Sequence, residues 1–169
     1  SLDVDFAAVN FYDGQGLLIR GDQIPDDGDY SPNDLDEISI CVGTGTTTEG
    51  NLIDWANDNN LTINAVYVDS SSDAIHNLEW GYCNAISGDL SALISTKHIL
   101  ESDDTCGPVA DPDDNDCDGL WIAPEILSKE PLAAATRDYD SEWNEVVSWV
   151  WYGMITAEEL GINSTNYVN

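Results

Sequence analysis

ISICVGTGTTTEGNL, residues 38–52, reads as a short buried strand, a Gly/Thr loop and the opening of a helix. Ile38, Ile40 and Val42 supply the apolar run, and Leu52, Ile53, Trp55 and Ala56 supply the apolar face of the helix that follows. Between them, Thr46 and Glu49 have the spacing of a capping box: the Thr oxygen takes a free backbone N–H, and the Glu returns to the start of the helix. Strand, loop and helix in this order make half of a βαβ unit.

The same rhythm extends in both directions. Residues 61–68 alternate as a strand, 72–80 as a helix, 83–87 as a strand and 90–100 as a helix. Upstream, FYDGQGLLIR at 11–20 ends in an apolar strand. This pattern predicts an α/β fold with a mostly parallel sheet and helices on both faces. Residues 101–119 form an acidic loop, longer than a compact domain leaves bare without a ligand or crosslink. Residues 120–122 resume a strand, LSKEPLAAATR forms a Pro-punctuated segment, and a long helix runs from near Ser141 to Gly161.

The chain has 169 residues with 4 basic and 33 acidic side chains, a formal charge of −29 that excludes nucleic acid and anionic membrane as partners. With 42% apolar residues and six Trp it can fill a core despite that charge. The longest apolar stretch, 146–155, is about half a membrane span, so no membrane insertion is expected. Asp (23) far outnumbers Glu (10), and Lys97 and Lys129 are the two lysines, a balance that suits a halophilic, marine or exported protein. No basic and apolar leader opens the chain at Ser1, so a targeting peptide is expected to be already removed or outside the sequence.

Four cysteines fit two disulfides in an exported chain. Spacing pairs Cys106 with Cys117 inside the acidic loop, and Cys41 with Cys83 on the predicted strands. Zinc is the competing reading, but no CxxC occurs, and His76 and His98 lie in helical stretches away from any Cys.

Three groups of residues could carry chemistry. Thr46 and Thr47 stand at a helix start, where free N–H groups and hydroxyls suit an anion; the plain alternative is a well-capped helix. A phosphate loop would need a Lys where Glu49 stands. Asp89 follows a strand and precedes a helix, where it is either a cap or a carboxylate facing a cation. Ligands of open α/β sheets bind outside the carboxyl ends of strands, so Thr46, Thr47 and Asp89 together suit a zwitterion, an amino acid held at both charged ends. Third, Asp114, Asp116 and Asp118 with Gly119 spell DxDxDG, an alternating calcium loop, although an Asp-rich chain produces such spacings by chance and Pro124–Glu125 replaces an orthodox closing acid.

The blocks FYDGQGLLIR, ICVGTGTTTEGNL, GYCNAISGDLSAL, APEILSKEPLAAATR and ITAEELGI resemble, in order, those of the general L-amino-acid-binding periplasmic proteins of ABC importers. The resemblance implies one lobe of a type II periplasmic-binding-protein fold, the second of two. In that frame residues 1–20 are a hinge-like strand leading in, 21–137 the ligand-binding lobe with its inserted loop at 101–119, and 138–169 a return helix and tail. It also implies that Thr46 and Thr47 hold the ligand carboxylate and Asp89 the α-ammonium, and it supports the Cys41–Cys83 pair. Asn84 departs from the family, which usually has an acid there.

The expected function is therefore binding of a small amino acid for an importer, in the periplasm or outside the cell, with an ABC permease as partner once the other lobe is supplied. No catalytic residues and no organic cofactor are expected, with calcium as the one candidate ion; neither His lies near a candidate Ser or Cys nucleophile. The alternative is an interaction or structural protein that keeps the lobe fold. Trp143, Val146, Val147, Val150, Met154 and Ile155 share a helix face that would recruit a second copy or a separate lobe.

Overall fold

A computed structural model describes residues 3–25, 30–102 and 119–167. Its first strand, β1 (Val4–Arg20), changes character part way along: as far as Tyr12 its side chains are exposed or half-buried, whereas from Asp13 to Arg20 every one is buried. A strand covered on both faces reads as a continuous apolar run, and Leu17, Leu18 and Ile19 form that run.

The remaining strands are β2 (Ser39–Gly43), β3 (Asn64–Val68), β4 (Ala85–Asp89), β5 (Leu120–Ile122) and β6 (Ser128–Arg137). They form one sheet in the order β3-β2-β4-β1-β5, with β6 pairing to β1 off that path. β2 runs parallel to both β3 and β4, as the βαβ rhythm predicts. β1 enters antiparallel between β4 and β5. Pro131 lies within β6, which pairs with β1 alone among the described strands, a position where a missing N–H is tolerated.

Helices α1 (Thr47–Asp58), α2 (Ser71–Glu79) and α3 (Leu90–Ser102) cover the two faces. Leu52 of α1 packs with Leu17, Ile19, Ile40 and Val42. Leu78 of α2 and Leu93 of α3 pack with Leu18, Cys41 and Ile86. The odd positions of β1 and the even positions of β2 thus face α1, while the alternate positions face α2 and α3, as a period of two requires. Leu17, Leu18, Ile19 and Leu52 are fully buried, each contributing about 2 kcal/mol. The buried Arg20 guanidinium donates from Nη1 to Leu78 O (2.7 Å) at the end of α2 and pairs through Nε with Asp22 (3.2 Å). A cation at a helix C-terminus offsets its own burial.

The chain divides into two units, Asp13–Lys129 and Ser1–Tyr12 with Glu130–Asn169. The first is the α/β lobe. In the second, Thr136 Oγ1 of β6 donates to Asp5 O (3.3 Å), Asn144 Nδ2 donates to Thr136 Oγ1 (2.8 Å), and Ala8 N donates to Ser148 Oγ (3.0 Å). These bonds hold α4 (Ser141–Glu159) to both strands, yet no residue of α4 is buried.

Candidate functional site

In the lobe, the chain leaves β2 through α1 on one face of the sheet to reach β3, and leaves β4 through α3 on the other face to reach β5. β2 and β4 are parallel neighbours, with Ile40 opposite Ala85 and Cys41 opposite Ile86. Carrying that register forward sets Thr44 level with Asp89. Two neighbouring parallel strands whose connections depart to opposite faces open a crevice at their carboxyl ends, where ligands of open α/β sheets bind.

Thr46 and Thr47 stand on the α1 side of this edge. Gly45 precedes them with φ +68°, a left-handed turn that favours glycine. Thr46 is the N-cap: its hydroxyl accepts from Glu49 N (3.3 Å) and donates to Gly43 O (2.8 Å). The Glu49 carboxylate takes the Gly45 N–H (2.8 Å), one residue earlier than an orthodox capping box would place it. Capping therefore occupies the Thr46 hydroxyl. The exposed Thr47 hydroxyl makes no hydrogen bond among the described residues, and it sits on the first turn, where N–H groups point at incoming anions.

Asp89 is the exposed last residue of β4. It lines a cavity of about 370 Å³ between the first turns of α2 and α3, together with Asp69, Ser70, Ser71, Ala92 and Thr96. Thr46 and Thr47 do not line that cavity; they flank the same sheet edge from the opposite face. The described lining holds two carboxylates and no basic side chain, so its field favours a cation such as an ammonium group.

Sequence reading missed the residues beneath this edge. Gln15, fully buried on β1, donates from Nε2 to Thr48 O (2.8 Å) and Ser87 Oγ (2.9 Å) and accepts from Asn51 Nδ2 (3.0 Å). Asp13, also buried, accepts from Gly14 N (2.8 Å), from Ser91 N (3.3 Å) and from the Ser91 hydroxyl. The Ser91 hydroxyl holds the Asp13 carboxyl below the usual carboxylate range, and the Gly14 and Ser91 amides act the same way against an opposing effect of burial. A Cβ on Gly16 would stand 3.1 Å from the Leu90 side chain, so the glycine lets α3 approach β1 closely. The one visible signal was a polar DGQG run opening an apolar strand.

Asn84, the departure from the family pattern, accepts through Oδ1 from Ser39 N (2.9 Å) and Ser39 Oγ (2.6 Å). An acid there would accept the same two bonds, so the change leaves the β2 to β4 link in place. Cys41 and Cys83 are joined as expected. Asp114, Asp116, Asp118 and the Cys106–Cys117 pair lie outside the described residues. No described helix is long and apolar enough to cross a membrane.

No protein-family model matches the chain. It is 37% identical over 165 residues to the glutamate/glutamine/aspartate/asparagine-binding protein BztA of Rhodobacter capsulatus, covering 98% of this chain and 44% of that protein. It is 36% identical over 167 residues to the general L-amino acid-binding periplasmic protein AapJ of Rhizobium johnstonii, covering 98% and 43%. Among solved structures, a periplasmic binding protein of an ABC transporter from Brucella ovis with glutathione bound aligns at 34% identity and TM-score 0.77, over 98% of this chain and 47% of that one. The ligand-binding core of GluR0 with L-glutamate, at 20% identity and TM-score 0.63, shares the fold alone over 95% of this chain and 62% of that one. By sequence and by fold, the chain is a homologue of the amino-acid-binding periplasmic proteins of ABC transporters, of type II lobe architecture, and it spans under half the length of the curated relatives it matches.

Proposed function

We propose that the chain binds a small L-amino acid or a related zwitterion, with the α-ammonium at Asp89 and the α-carboxylate at the first turn of α1, where Thr47 offers its hydroxyl. The observation that carries this reading is the crevice between β2 and β4, which sets a carboxylate and a helix N-terminus on the same sheet edge. The two carboxylates of the cavity lining suit the ammonium end. The ligands of two relatives, four acidic and amide amino acids for one and glutathione for the other, all carry the same zwitterionic head. The reading places the chain in the periplasm or outside the cell, as a non-enzymatic solute-binding lobe of an importer whose permease is its partner.

Calorimetry against L-glutamate, L-glutamine, L-aspartate, L-asparagine and glutathione tests this. Saturable uptake of at least one, weakened tenfold or more by Asp89→Ala and severalfold by Thr47→Val in folded protein, is expected. Absence of heat for all five at millimolar concentration overturns it.

A second reading, association through α4, is favoured by one observation: that helix carries Trp143, Val146, Trp149 and Val150 exposed.

A further inference from the structure

Asp13 and Gln15 occupy alternate positions at the point where β1 becomes buried. A buried polar side chain is costly unless its hydrogen bonds are made, so the partners of such a group show what it holds in place. Here the partners lie on three other elements. Gln15 reaches Thr48 O and Asn51 on the first turns of α1 and Ser87 on β4. Asp13 reaches the amide and hydroxyl of Ser91 on the first turn of α3. The pairing of β1 with β4 and β5 runs through the main chain and uses neither side chain. Apolar residues at both positions would continue the Leu17–Ile19 run and leave the strand intact, so strand formation alone does not call for these groups.

We infer that Asp13 and Gln15 are positioning residues for the ligand crevice. Gln15 fixes the first turn of α1 against β4, and Asp13 fixes the first turn of α3. The separation between the Thr47 hydroxyl and the Asp89 carboxylate is therefore set from β1, a strand that carries neither group. This inference rests on the proposal that Thr47 and Asp89 hold the two ends of one ligand. It adds that a zwitterion of fixed charge spacing is selected by a ruler two residues long.

The test compares the intact chain with Gln15→Met, which keeps length and removes every hydrogen bond, with Asp13→Ala, and with Asp13→Asn, which keeps an acceptor oxygen. Asn51→Ser cuts the Gln15 link from the half-buried side without opening the core and serves where Gln15→Met fails to fold. Backbone amide spectra are recorded without ligand, and L-glutamine is then titrated by calorimetry. Gln15→Met should shift Thr47, Thr48 and Asn51, and Asp13→Ala should shift Ser91 and Ala92. Asp73 and Ala74 at the start of α2, which Ser70 caps, should stay still. The dissociation constant should rise tenfold or more in both variants and stay within threefold in Asp13→Asn. A purely structural role would lower the melting temperature and leave the affinity of the folded protein within twofold of the parent, and that result overturns the inference. So does equal movement of Asp73 and Thr47. If the parent itself takes up no amino acid, the proposed function fails, and the amide shifts decide the positioning role alone: confined movement sustains it, and none overturns it.

Discussion

Cys41 in the middle of β2 is bonded to Cys83, two residues before β4, with their α-carbons 5.8 Å apart. Both residues are fully buried, and the bridge closes a loop of 42 residues that contains α1, β3 and α2. Closing a loop of that length removes about 4 kcal/mol of unfolded-chain entropy. The double substitution Cys41→Ala, Cys83→Ala is therefore expected to cost about that much in denaturant unfolding, and a reductant should move the parent to the same midpoint. Equal midpoints for parent and variant would show that the strands are held by packing alone.

Tyr30 packs on Trp121, ring centroids 4.5 Å apart, and donates its hydroxyl to Glu125 Oε2 at 3.0 Å. Burial, then the charge and hydrogen bond of Glu125, push the phenol well above its ordinary 10.0. A group whose pKa is raised on folding contributes stability that is present in full below its unfolded pKa and lost as pH climbs toward the folded one. The denaturant midpoint should thus fall between about pH 10 and the alkaline limit. In Tyr30→Phe that fall should be smaller. An identical alkaline slope in the two proteins refutes the assignment.

The strand, loop and helix of residues 38–52 were legible because every cue is local: an apolar run, a glycine at the turn, and Thr46 three residues before Glu49. The three-residue β5 was legible for the same reason. What escaped depends on partners far along the chain. The first half of β1 has exposed side chains and pairs with β6, over a hundred residues later, so no buried face marks it in the sequence. The reversed direction of β1 is invisible because a short apolar strand reads the same in either sense. Gln15 and Asp13 stand out as polar letters, but their partners lie 33 to 78 positions away, and only the fold shows that they bond to the first turns of α1 and α3. Asp89 and the Thr cluster were singled out because strand ends before helices are where α/β sheets bind, and the structure puts them at the end of β4 and the start of α1.

The acidic loop carries its own expectation from sequence. Five carboxylates at 111, 113, 114, 116 and 118 repel one another unless a cation sits among them. Calcium at about ten times a millimolar dissociation constant would add about 1.4 kcal/mol, raising the melting temperature by about 3 °C. The comparison is a thermal melt with calcium against one with a chelator at matched ionic strength, in the parent and in Asp116→Ala. The parent should shift and the variant should not. Identical melting temperatures in all four samples would leave the loop as a solvated acidic surface.

α4 is capped by Asp140, which accepts from Trp143 N (3.3 Å), and it is held to β1 and β6 by Ser148 and Asn144. Those bonds fix the helix without covering it: Trp149 remains 70% exposed and Val150 58%. Beside them, Ala8, Ala134, Trp143, Val147 and Trp151 line an apolar groove of about 330 Å³. The Trp151 indole N–H is buried with no acceptor among the described residues, which costs about 1–3 kcal/mol until a neighbour supplies one. An exposed apolar helix face of this kind is expected to recruit a second copy of the chain. Sedimentation velocity should show concentration-dependent self-association at tens of micromolar, despite the repulsion of a −29 charge, and added salt should strengthen it by screening that charge. Trp149→Asp with Val150→Asp should return the chain to monomer with its fold intact. A parent that stays monomeric at high protein concentration and high salt would show that α4 is stable with its apolar face in water.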